Sequence, residues 1–566
     1  MTYDLRRELW IPWRRRSGAV EWGPLTALVS RLEDDPVVAI AAPRPDFDGA
    51  LQEFLIGLLS AALQPEDEAA WRQGWTSPPT VDELQAALDA LPDAFDLDGD
   101  GPRFFQDLTS ADFAGAAVAP IDRLLIETPG EQGLLFNKDL FIKRERFERL
   151  SRPAAAMALV TMQAYAPAGG QGYRTSMRGG GPLTTLVDPR ADEHGASRAH
   201  EQPLWQKLWA NVETAEQLEA RRPDRGLPAI ELAFPWLAPT RTSNIKKSGV
   251  STTWAHAHPL QAYFGLPRRI RLEFGDGGTC DLTGLPDEHT VVGFRALNYG
   301  VQYDGWKHPL SPYYRQKLTE PWLPVHAQPG GIAWRDWLSL TLEDLAGGLR
   351  EPAATVAHFH GRARRVDRRA FRVHVFGYDM DNMKARGWTD TMVPAFAATD
   401  AERRQLIFAA ARSLIEATSM AGTALLVAVR TALFQSPDDA PGDLGQVKLD
   451  LWAATERDFY SAIRSVADES LDVDAAVSRV DECRQRFART IEDATTGVFD
   501  RWCPSGALDV RALRRRVAGR FQLTSALRGY SKLGESIFGA LGIAPPGGGR
   551  VARSAKKTPT SKERAK

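Results

Sequence analysis

A glycine-rich stretch at residues 164–187 is the segment of this chain whose composition most limits the structures and contacts that it can form. It reads AYAPAGGQGYRTSMRGGGPLTTLV and carries six glycines. Because glycine destabilises the interior of helices and strands, the stretch is predicted to be a loop. The first cluster, Gly169-Gly170-Gln171-Gly172, has almost no side chains. Such a backbone can approach another polymer closely with its N–H groups free to donate. A simple hinge or turn is the alternative interpretation.

Two arginines follow this cluster. Arg174 and Arg178 are four residues apart, and guanidinium groups at this spacing suit contacts with phosphates. The GK[ST] ending of a nucleotide-binding P-loop is missing, so the stretch is not predicted to be one.

The other polar motifs do not form a catalytic or metal site. The sequence lacks a Walker A motif, a GxSxG elbow, an HExxH motif and an HxE with a matching PCxxC. Two pairs, His256 with His258 and His358 with His360, have no accompanying cluster of carboxylates or cysteines. Packing within loops is therefore the favoured interpretation. We predict a protein that is not an enzyme and needs no metal or other cofactor.

Composition indicates a globular protein of two to four domains. The chain has 566 residues, of which 43% are hydrophobic and 25% are charged. A net charge of −2 excludes a histone-like DNA coater, and the apolar content excludes intrinsic disorder. Three scattered cysteines, Cys280, Cys483 and Cys503, favour a reducing compartment over a disulfide scaffold.

Neither export nor a membrane span is predicted. The opening MTYDLRRELWIPWRRR has charges where a signal peptide needs an apolar core. The longest apolar run, residues 417–429, has 13 residues, whereas a span needs about 20. We expect a cytoplasmic protein, no membrane partner, and a buried core helix at this run.

The elements that must position the glycine stretch fall into two parts. Up to residue 398 the pattern is mixed, with helical DGALQEFLIGLLSAAL and VDELQAALDAL and strand-like RRIRLEF, HTVVGFRAL and AFRVHVFGYDM. Four long amphipathic stretches follow: one opened by Asp400 as helix cap, then 444–469, 473–502 and 510–537. The prediction is an α+β fold: a mixed α/β domain over 1–398, a four-helix bundle over 399–540 and a disordered basic tail over 541–566.

Net positive charge is concentrated in two short segments of the chain. Residues 550–566 hold seven Lys or Arg against one Glu, so the rest of the chain carries −8. Residues 361–372 hold six Arg against one Asp, which is a candidate nucleic-acid patch or, alternatively, a solvated face. Any contact with nucleic acid must come from such patches.

Six segments carry a family resemblance. They are IETPG at 126–130, LLFNKD at 134–139, APAGGQGYRTSMRGGGPLTTLV at 166–187, HPLQAYFGLPRRIRL at 258–272, WKHPLSPYYRQKL at 306–318 and VFGYDMDNMKARGW at 375–388. With the opening WIPW and the helical C-terminal part, they resemble the CasA family. That family provides the large subunit of the type I-E Cascade complex, an RNA-guided CRISPR surveillance assembly for antiviral defence. The resemblance extends to about residue 540.

This resemblance implies a non-enzymatic subunit that recognises the protospacer-adjacent motif (PAM) of target double-stranded DNA. Gly169, Gly170, Gln171 and Gly172 would face the minor groove, whose degenerate pattern makes the recognition tolerant. A basic finger follows WKHPLSP in the family. Lys317 fits it best, with Arg315 as the competing assignment.

Two further elements are implied. GYDMDN would form a wedge that parts the duplex next to the PAM, with Asp381 and Asn382 at its tip, where some relatives carry Gln. Phe136, Asn137 and Lys138 match the segment that meets the 5′ end of the guide RNA in relatives. Phe136 as a core residue is the alternative. Some relatives hold cysteine pairs that suit zinc, which this chain lacks, so no metal is expected.

The implied partners are the other Cascade subunits, the CRISPR guide RNA, the target DNA and a helicase–nuclease effector. Two alternatives stay open from the residues alone. One is an enzyme that cleaves or modifies nucleic acid through an unrecognised site. The other is a structural RNA-binding protein without DNA specificity.

Overall fold

The computed structural model describes residues 2–128, 134–136, 146–167, 169–170, 172–190, 201–222, 226–344, 347–366, 370–381, 384–397, 400–436, 442–468, 470–506 and 509–546. The chain divides into two units. The first comprises Met1–Ile332 and Ser339–Thr399, and the second comprises Ala333–Leu338 and Asp400–Lys566. Both helices and strands occur, with helices at the C-terminal end, so the predicted α+β class is confirmed.

The strands are short except for one hairpin. They are β1 Ile11–Arg15, β2 Val20–Gly23, β3 Val37–Ile40, β4 Val118–Pro120, β5 Leu150–Ser151, β6 Thr184–Asp188, β7 Ser251–Thr252, β8 Arg269–Gly275, β9 Gly278–Thr279, β10 Pro286–Asp287, β11 Thr290–Leu297, β12 Gln302–Tyr303, β13 Tyr313–Tyr314, β14 Leu323–Pro324, β15 Arg350–Glu351, β16 Ala370–Asp381 and β17 Lys384–Phe396. The strand-like runs expected from the sequence are β8, β11 and β16.

The first and third helices, and the long helices after Asp400, lie in the stretches that the sequence predicted as helical. The helices are α1 Pro45–Ala62, α2 Glu68–Thr76, α3 Val81–Asp89, α4 Arg152–Tyr165, α5 Leu204–Ala210, α6 Ala215–Glu219, α7 Trp337–Thr341, α8 Ala354–Arg362, α9 Ala401–Leu433, α10 Gly445–Val466, α11 Val473–Trp502, α12 Val510–Leu527 and α13 Lys532–Leu541.

The core of the first unit surrounds α1. This helix begins with Pro45 at its first turn, where the missing N–H removes no intrahelical bond. Its residues from Ala50 to Ala61 are all buried, including the polar Gln52, Glu53 and Ser60, so this part of the helix is enclosed on every side. Phe54 lies at the centre, with edge-to-face contacts to Trp10 (5.9 Å), Phe104 (5.5 Å) and Phe264 (6.1 Å).

Two antiparallel sheets frame this core. In one, β11 pairs with β4, β5 and β8. In the other, β16 pairs with β6 on one side and β17 on the other. The β16–β17 hairpin keeps its register from Ala370 opposite Phe396 to Asp381 opposite Lys384, with one irregularity after Asp379.

The second unit is a bundle around α9. The carboxylate of Asp400 accepts hydrogen bonds from the N–H groups of Glu402 and Arg403, which confirms the predicted cap. Trp334, from the six-residue segment Ala333–Leu338, is 1% exposed and stacks on Phe459 with ring centroids 4.3 Å apart. Its indole Nε1–H donates to the carbonyl of Trp452.

The fourth predicted stretch, 510–537, is not one helix. It breaks after Leu527 into α12 and α13, because Gly529 takes a left-handed φ of +79° and the Tyr530 N–H donates to Ser525 O. The hydroxyl of Ser531 then caps α13 by accepting from the Gly534 N–H. The described part of this unit therefore has five helices of eight residues or more instead of the four predicted.

Among the described helices, α9 alone has the length and apolar composition to cross a membrane. Half of its most apolar window is buried inside the protein. Ala417, Ala421, Leu425 and Val429 lie in the interior of the bundle, as the sequence predicted for this run.

Candidate nucleic-acid interface

The glycine loop, residues 166–172, follows the end of α4 at Tyr165. Gly169, Gly170 and Gly172 belong to the described residues, whereas Gln171 lies outside them. The chain turns here, and the Tyr173 N–H donates to the Gly170 carbonyl at 3.0 Å.

Two of the three glycines are required by the fold itself. A Cβ on Gly169 would lie 2.5 Å from the Cβ of Tyr173. Gly172 has a φ of +83°, and its Cβ would lie 2.8 Å from the Cβ of Asn298. A side chain at either position would clash with its own protein or strain the backbone.

Gly170 is different. Its φ is outside the left-handed region, and a Cβ built on it would meet no heavy atom of the described residues within 4 Å. Neither conformation nor internal space calls for glycine here. The backbone at Gly170 is therefore open to close approach from outside the chain.

Arg178 does not reach this surface. Its side chain is 2% exposed, and its Nη2–H donates to Glu53 Oε2 at 2.7 Å. Its Nη1–H donates to the hydroxyls of Thr184 and Ser311. The expectation that Arg178 neutralises phosphate is therefore wrong, because a carboxylate on α1 that the sequence did not signal already binds this guanidinium.

Glu53 gathers three donors beneath the glycine loop. Besides Arg178, it accepts from Tyr165 Oη–H at 2.7 Å and from Thr184 Oγ1–H at 2.5 Å. Burial and the adjacent carboxylate raise the pKa of Tyr165 well above its usual value, so its hydroxyl stays protonated as a donor. This network fixes the chain on both sides of the loop.

The predicted basic finger lies between β13 and β14. The side chain of Lys317 is 76% exposed, and its Nζ lies 3.4 Å from Glu320 Oε1. Arg315, the competing assignment, is held inward. Its Nε–H donates to Gly348 O at 2.8 Å, its Nη1–H donates to Leu318 O at 3.0 Å, and its guanidinium lies 4.4 Å from the centre of the Trp322 ring. Lys317 is thus the exposed cation of this turn.

The predicted wedge is the end of the β16–β17 hairpin. Asp381 is exposed and pairs with Lys384 across the two strands. Asn382 lies outside the described residues. Further from the tip, Arg386 on β17 is bonded to Asp379 on β16. Its Nη2–H donates to Asp379 Oδ1 at 2.6 Å, and this bond raises the pKa of the guanidinium.

One segment, residues 176–183, joins these elements, and we call it the anchor segment. At its start, the Ser176 N–H donates to the Ala166 carbonyl of the glycine loop at 3.1 Å. At its end, the Leu183 N–H donates to Val325 O, next to the finger hairpin, at 2.9 Å. The glycine loop and the finger are therefore tied to a common piece of backbone.

The wedge hairpin packs on the same segment. Gly181 has a φ of +73°, and a Cβ there would lie 2.7 Å from the carbonyl oxygen of Tyr378 on β16. Its own carbonyl oxygen lies 3.0 Å from His326 Nδ1. A cleft of about 310 Å³ opens at this junction. Its lining includes Gly180, Gly181, His326, Gln328, Met380 and Arg386.

The predicted guide-RNA segment is described only in part. Phe136 is 59% exposed, so it is not a core side chain. Asn137 and Lys138 lie outside the described residues.

The two histidine pairs differ. His358 and His360 lie on helix α8, so the prediction of packing within a loop is wrong for that pair, and His360 Nε2 lies 2.8 Å from Thr341 O. His256 and His258 serve the packing of a loop. His258 Nδ1 accepts from the Leu260 N–H, and burial lowers the pKa of His258 to about 4. His256 Nδ1 accepts from the Thr253 N–H. Across the described ranges, no three His, Cys, Asp or Glu side chains are grouped to hold a metal ion.

The arginine-rich run at 361–372 is partly internal. Arg362 has 2% of its side chain exposed, donates to both carboxylate oxygens of Glu68, and lies 4.2 Å from the centre of the Trp71 ring. This arginine stabilises the first unit and is unavailable to a nucleic acid. The partner, Glu68, is 294 residues away in the chain, which no local pattern reveals.

The fold of this chain, a mixed α+β unit and a helical unit, is that of several solved CRISPR-associated proteins. The fold is similar to that of CasA from Thermus thermophilus, with a TM-score of 0.65 and 18% identity over 94% of this chain and 100% of that one. Cse1 from Acidimicrobium ferrooxidans has a TM-score of 0.65 and 17% identity over 93% and 98%. A chain solved as "CRISPR RNA-guided surveillance complex" has a TM-score of 0.61 and 16% identity over 93% and 100%.

Sequence gives the more specific assignment. The model of the family described as CRISPR-associated protein Cse1 matches residues 4–497. This chain belongs to the Cse1 family, also called CasA. The family predicted from the motifs is therefore confirmed.

Proposed function

We propose that this chain is the large subunit of a type I-E Cascade complex that recognises the PAM of target double-stranded DNA through the minor groove. Family membership and the likeness to a chain from an RNA-guided surveillance complex support the assembly. In such assemblies base pairing with the guide reads the target, while protein reads the short motif.

The observation that carries this proposal is Gly170. A minor groove about 6 Å wide admits bare backbone where side chains clash. Gly170 offers such backbone, open to the outside and with no internal reason to lack a side chain. Its neighbours Gly169 and Gly172 hold the loop in shape.

Charge around the loop agrees with a polyanionic partner. Residues 149–187 contain no Asp or Glu. Lys317 projects from a hairpin tied to the anchor segment and suits a phosphate contact.

We further propose that the β16–β17 hairpin helps to part the duplex. The cost of unstacking is about 1.4 kcal/mol per base-pair step. Polar groups at Asp381 and Asn382 would offset part of it by offering hydrogen-bond partners to the parted bases. The packing of Gly181 against Tyr378 would couple this opening to recognition by the glycine loop.

The remaining partners complete the proposal. Exposed Phe136, with Asn137 and Lys138, would meet the 5′ end of the guide RNA by stacking and polar contacts. The first unit would also present the docking face for the helicase–nuclease, and the chain itself would perform no catalysis. Purified chain should therefore leave DNA intact in Mg²⁺ or Mn²⁺.

The test uses the assembled complex with PAM-bearing and PAM-lacking duplexes. Gly170→Asp should sharply weaken binding of the PAM-bearing duplex, and Gly170→Ala should weaken it less, since the methyl group adds bulk without charge. Gly115→Asp is the matched control, because Gly115 is also exposed with no described heavy atom within 4 Å of its Cβ position.

Both Gly170 variants should fold and assemble normally, because a Cβ at this position lies more than 4 Å from every heavy atom of the described residues outside its two chain neighbours. Unchanged discrimination between the two duplexes in Gly170→Asp would show that the loop is only a turn.

A further inference from the structure

A second loop, residues 242–250, lies beside the glycine loop, and we call it the isoleucine loop. It closes on itself, since the Gly249 N–H donates to Asn244 O at 2.7 Å and the Val250 N–H donates to Thr242 O at 3.0 Å. Ser248 takes a left-handed φ of +58° to complete the turn. The backbone of this loop is therefore well defined by its own hydrogen bonds.

The tip of this loop exposes an apolar side chain next to a cation. Ile245 is 87% exposed, the largest value among the exposed large hydrophobic residues described. Lys246 is exposed and makes no ion pair within the described residues. Neither side chain contributes to the core, so both are available to a partner.

Hydrogen bonds fix the position of the isoleucine loop relative to the glycine loop. Arg174 Nε–H donates to Ser243 Oγ at 2.7 Å, and its Nη2–H donates to Ser243 O at 3.1 Å. The Tyr299 N–H donates to Gly172 O at 2.7 Å, and the Ser243 N–H donates to Tyr299 O at 3.2 Å. Arg174, predicted as a phosphate ligand, thus connects the two loops.

The charge of the surrounding chain points to a polyanion. Residues 232–272 contain no Asp or Glu and six Lys or Arg. Three neighbouring arginines make internal contacts. Arg269 binds Asp107, Arg268 Nη2–H donates to Pro167 O, and Arg271 Nη1–H donates to Asp107 O. Arg241 and Lys246 are exposed.

We infer that the isoleucine loop is a second DNA-binding element, which contacts base-paired DNA beyond the PAM. Lys246 would neutralise a backbone phosphate there, and Ile245 would pack against the minor-groove wall. An apolar tip beside a cation is the combination that minor-groove proteins use. The inference rests on the proposed function, because the glycine loop sets the position of the duplex.

The test compares two PAM-bearing duplexes with the assembled complex, one extending well beyond the PAM and one ending at it. The double variant Ile245→Ser/Lys246→Ala should bind the extended duplex about threefold to tenfold more weakly, with a reduced salt dependence. It should bind the short duplex as the unchanged protein does. Lys532→Ala, which removes an exposed lysine of the second unit, is the control and should have no effect.

Equal binding of the extended duplex by the variant and the unchanged protein would overturn the inference, as would equal losses on both duplexes. Loss of the variant subunit from the complex would also overturn it, and would identify the loop as a protein contact. The variant Gly170→Asp distinguishes failure of the proposed function from failure of this inference. If that variant binds normally the proposed function fails, whereas a Gly170 effect without an isoleucine-loop effect removes this inference alone.

Discussion

Replacing Arg178 with methionine tests whether this guanidinium stabilises the fold or binds DNA. The substitution keeps an extended side chain and removes the charge. Glu53, which is 3% exposed, would then lose its 2.7 Å ion pair while keeping the hydroxyls of Tyr165 and Thr184. Removing one partner of a buried pair costs about 3–5 kcal/mol. The two retained hydroxyl donors favour the lower end, about 3 kcal/mol.

A double-mutant cycle isolates this interaction. Glu53→Leu alone should also destabilise the first unit, by a similar amount. The double variant should be less destabilised than the sum of the two by about 2 kcal/mol or more, because neither charge is then left buried and unpaired. Hydrogen exchange of peptides from α1 and β6 during urea unfolding measures the free energy of opening.

The DNA-binding alternative makes the opposite prediction. If Arg178 contacted phosphate, Arg178→Met would lower the salt slope of target binding by about one and leave stability nearly unchanged. Additive effects in the cycle, or a stability loss below about 1 kcal/mol, would refute the assignment of Arg178 to the buried network.

Four further outcomes are expected. Lys317→Ala should weaken target binding by about 1–3 kcal/mol with a smaller salt slope, and a larger loss in Arg315→Ala would move the finger to that residue. Phe136→Ala should loosen the subunit from the complex or weaken its hold on PAM-bearing DNA, by about 1–3 kcal/mol if the ring stacks on a base. Pull-down and binding assays measure both effects, and no change in either would exclude stacking. Asn382→Ala should slow hybridisation on fully paired DNA but not on a target already opened next to the PAM, and equal losses on the two would contradict the wedge. Burial lowers the pKa of His258 to about 4, below its unfolded value of about 6.5. The unfolded state therefore binds more protons between these values, and the stability from this group is lost as the pH falls through that window. His258→Asn, which can still accept from the Leu260 N–H, should reduce the slope of unfolding free energy against pH by up to about 1.4 kcal/mol per unit, and an unchanged slope would show that another group titrates.

Much of the fold could be read from local patterns. The spacing of apolar residues predicted α1, α3 and the long C-terminal helices, and Asp400 marked the start of α9. The sequence did not predict the break inside 510–537, because isolated glycines such as Gly519, Gly529 and Gly534 are each compatible with a continuous helix. Only the left-handed backbone at Gly529 shows that the chain turns there.

The site could be predicted less completely, because its decisive contacts are distant in sequence. Arg178 and Glu53 are 125 residues apart, and the carbonyl that holds Arg315 is 33 residues away from it. Motifs located the glycine loop but did not distinguish Gly170 from Gly169. That distinction depends on which position already has a neighbour, Tyr173, in its space.

The position of Trp334 has a consequence for synthesis on the ribosome. This tryptophan belongs to the second unit, although the chain then returns to the first unit for Ser339–Thr399. Its hydrogen-bond acceptor, Trp452, is translated 118 residues later. At about 5–20 residues per second, that delay lasts roughly 6–24 s. During this interval a large indole has no bundle to enter, so the nascent chain exposes an apolar segment that chaperones can bind. A chain cut at the predicted boundary of 398 would carry that exposed tryptophan permanently.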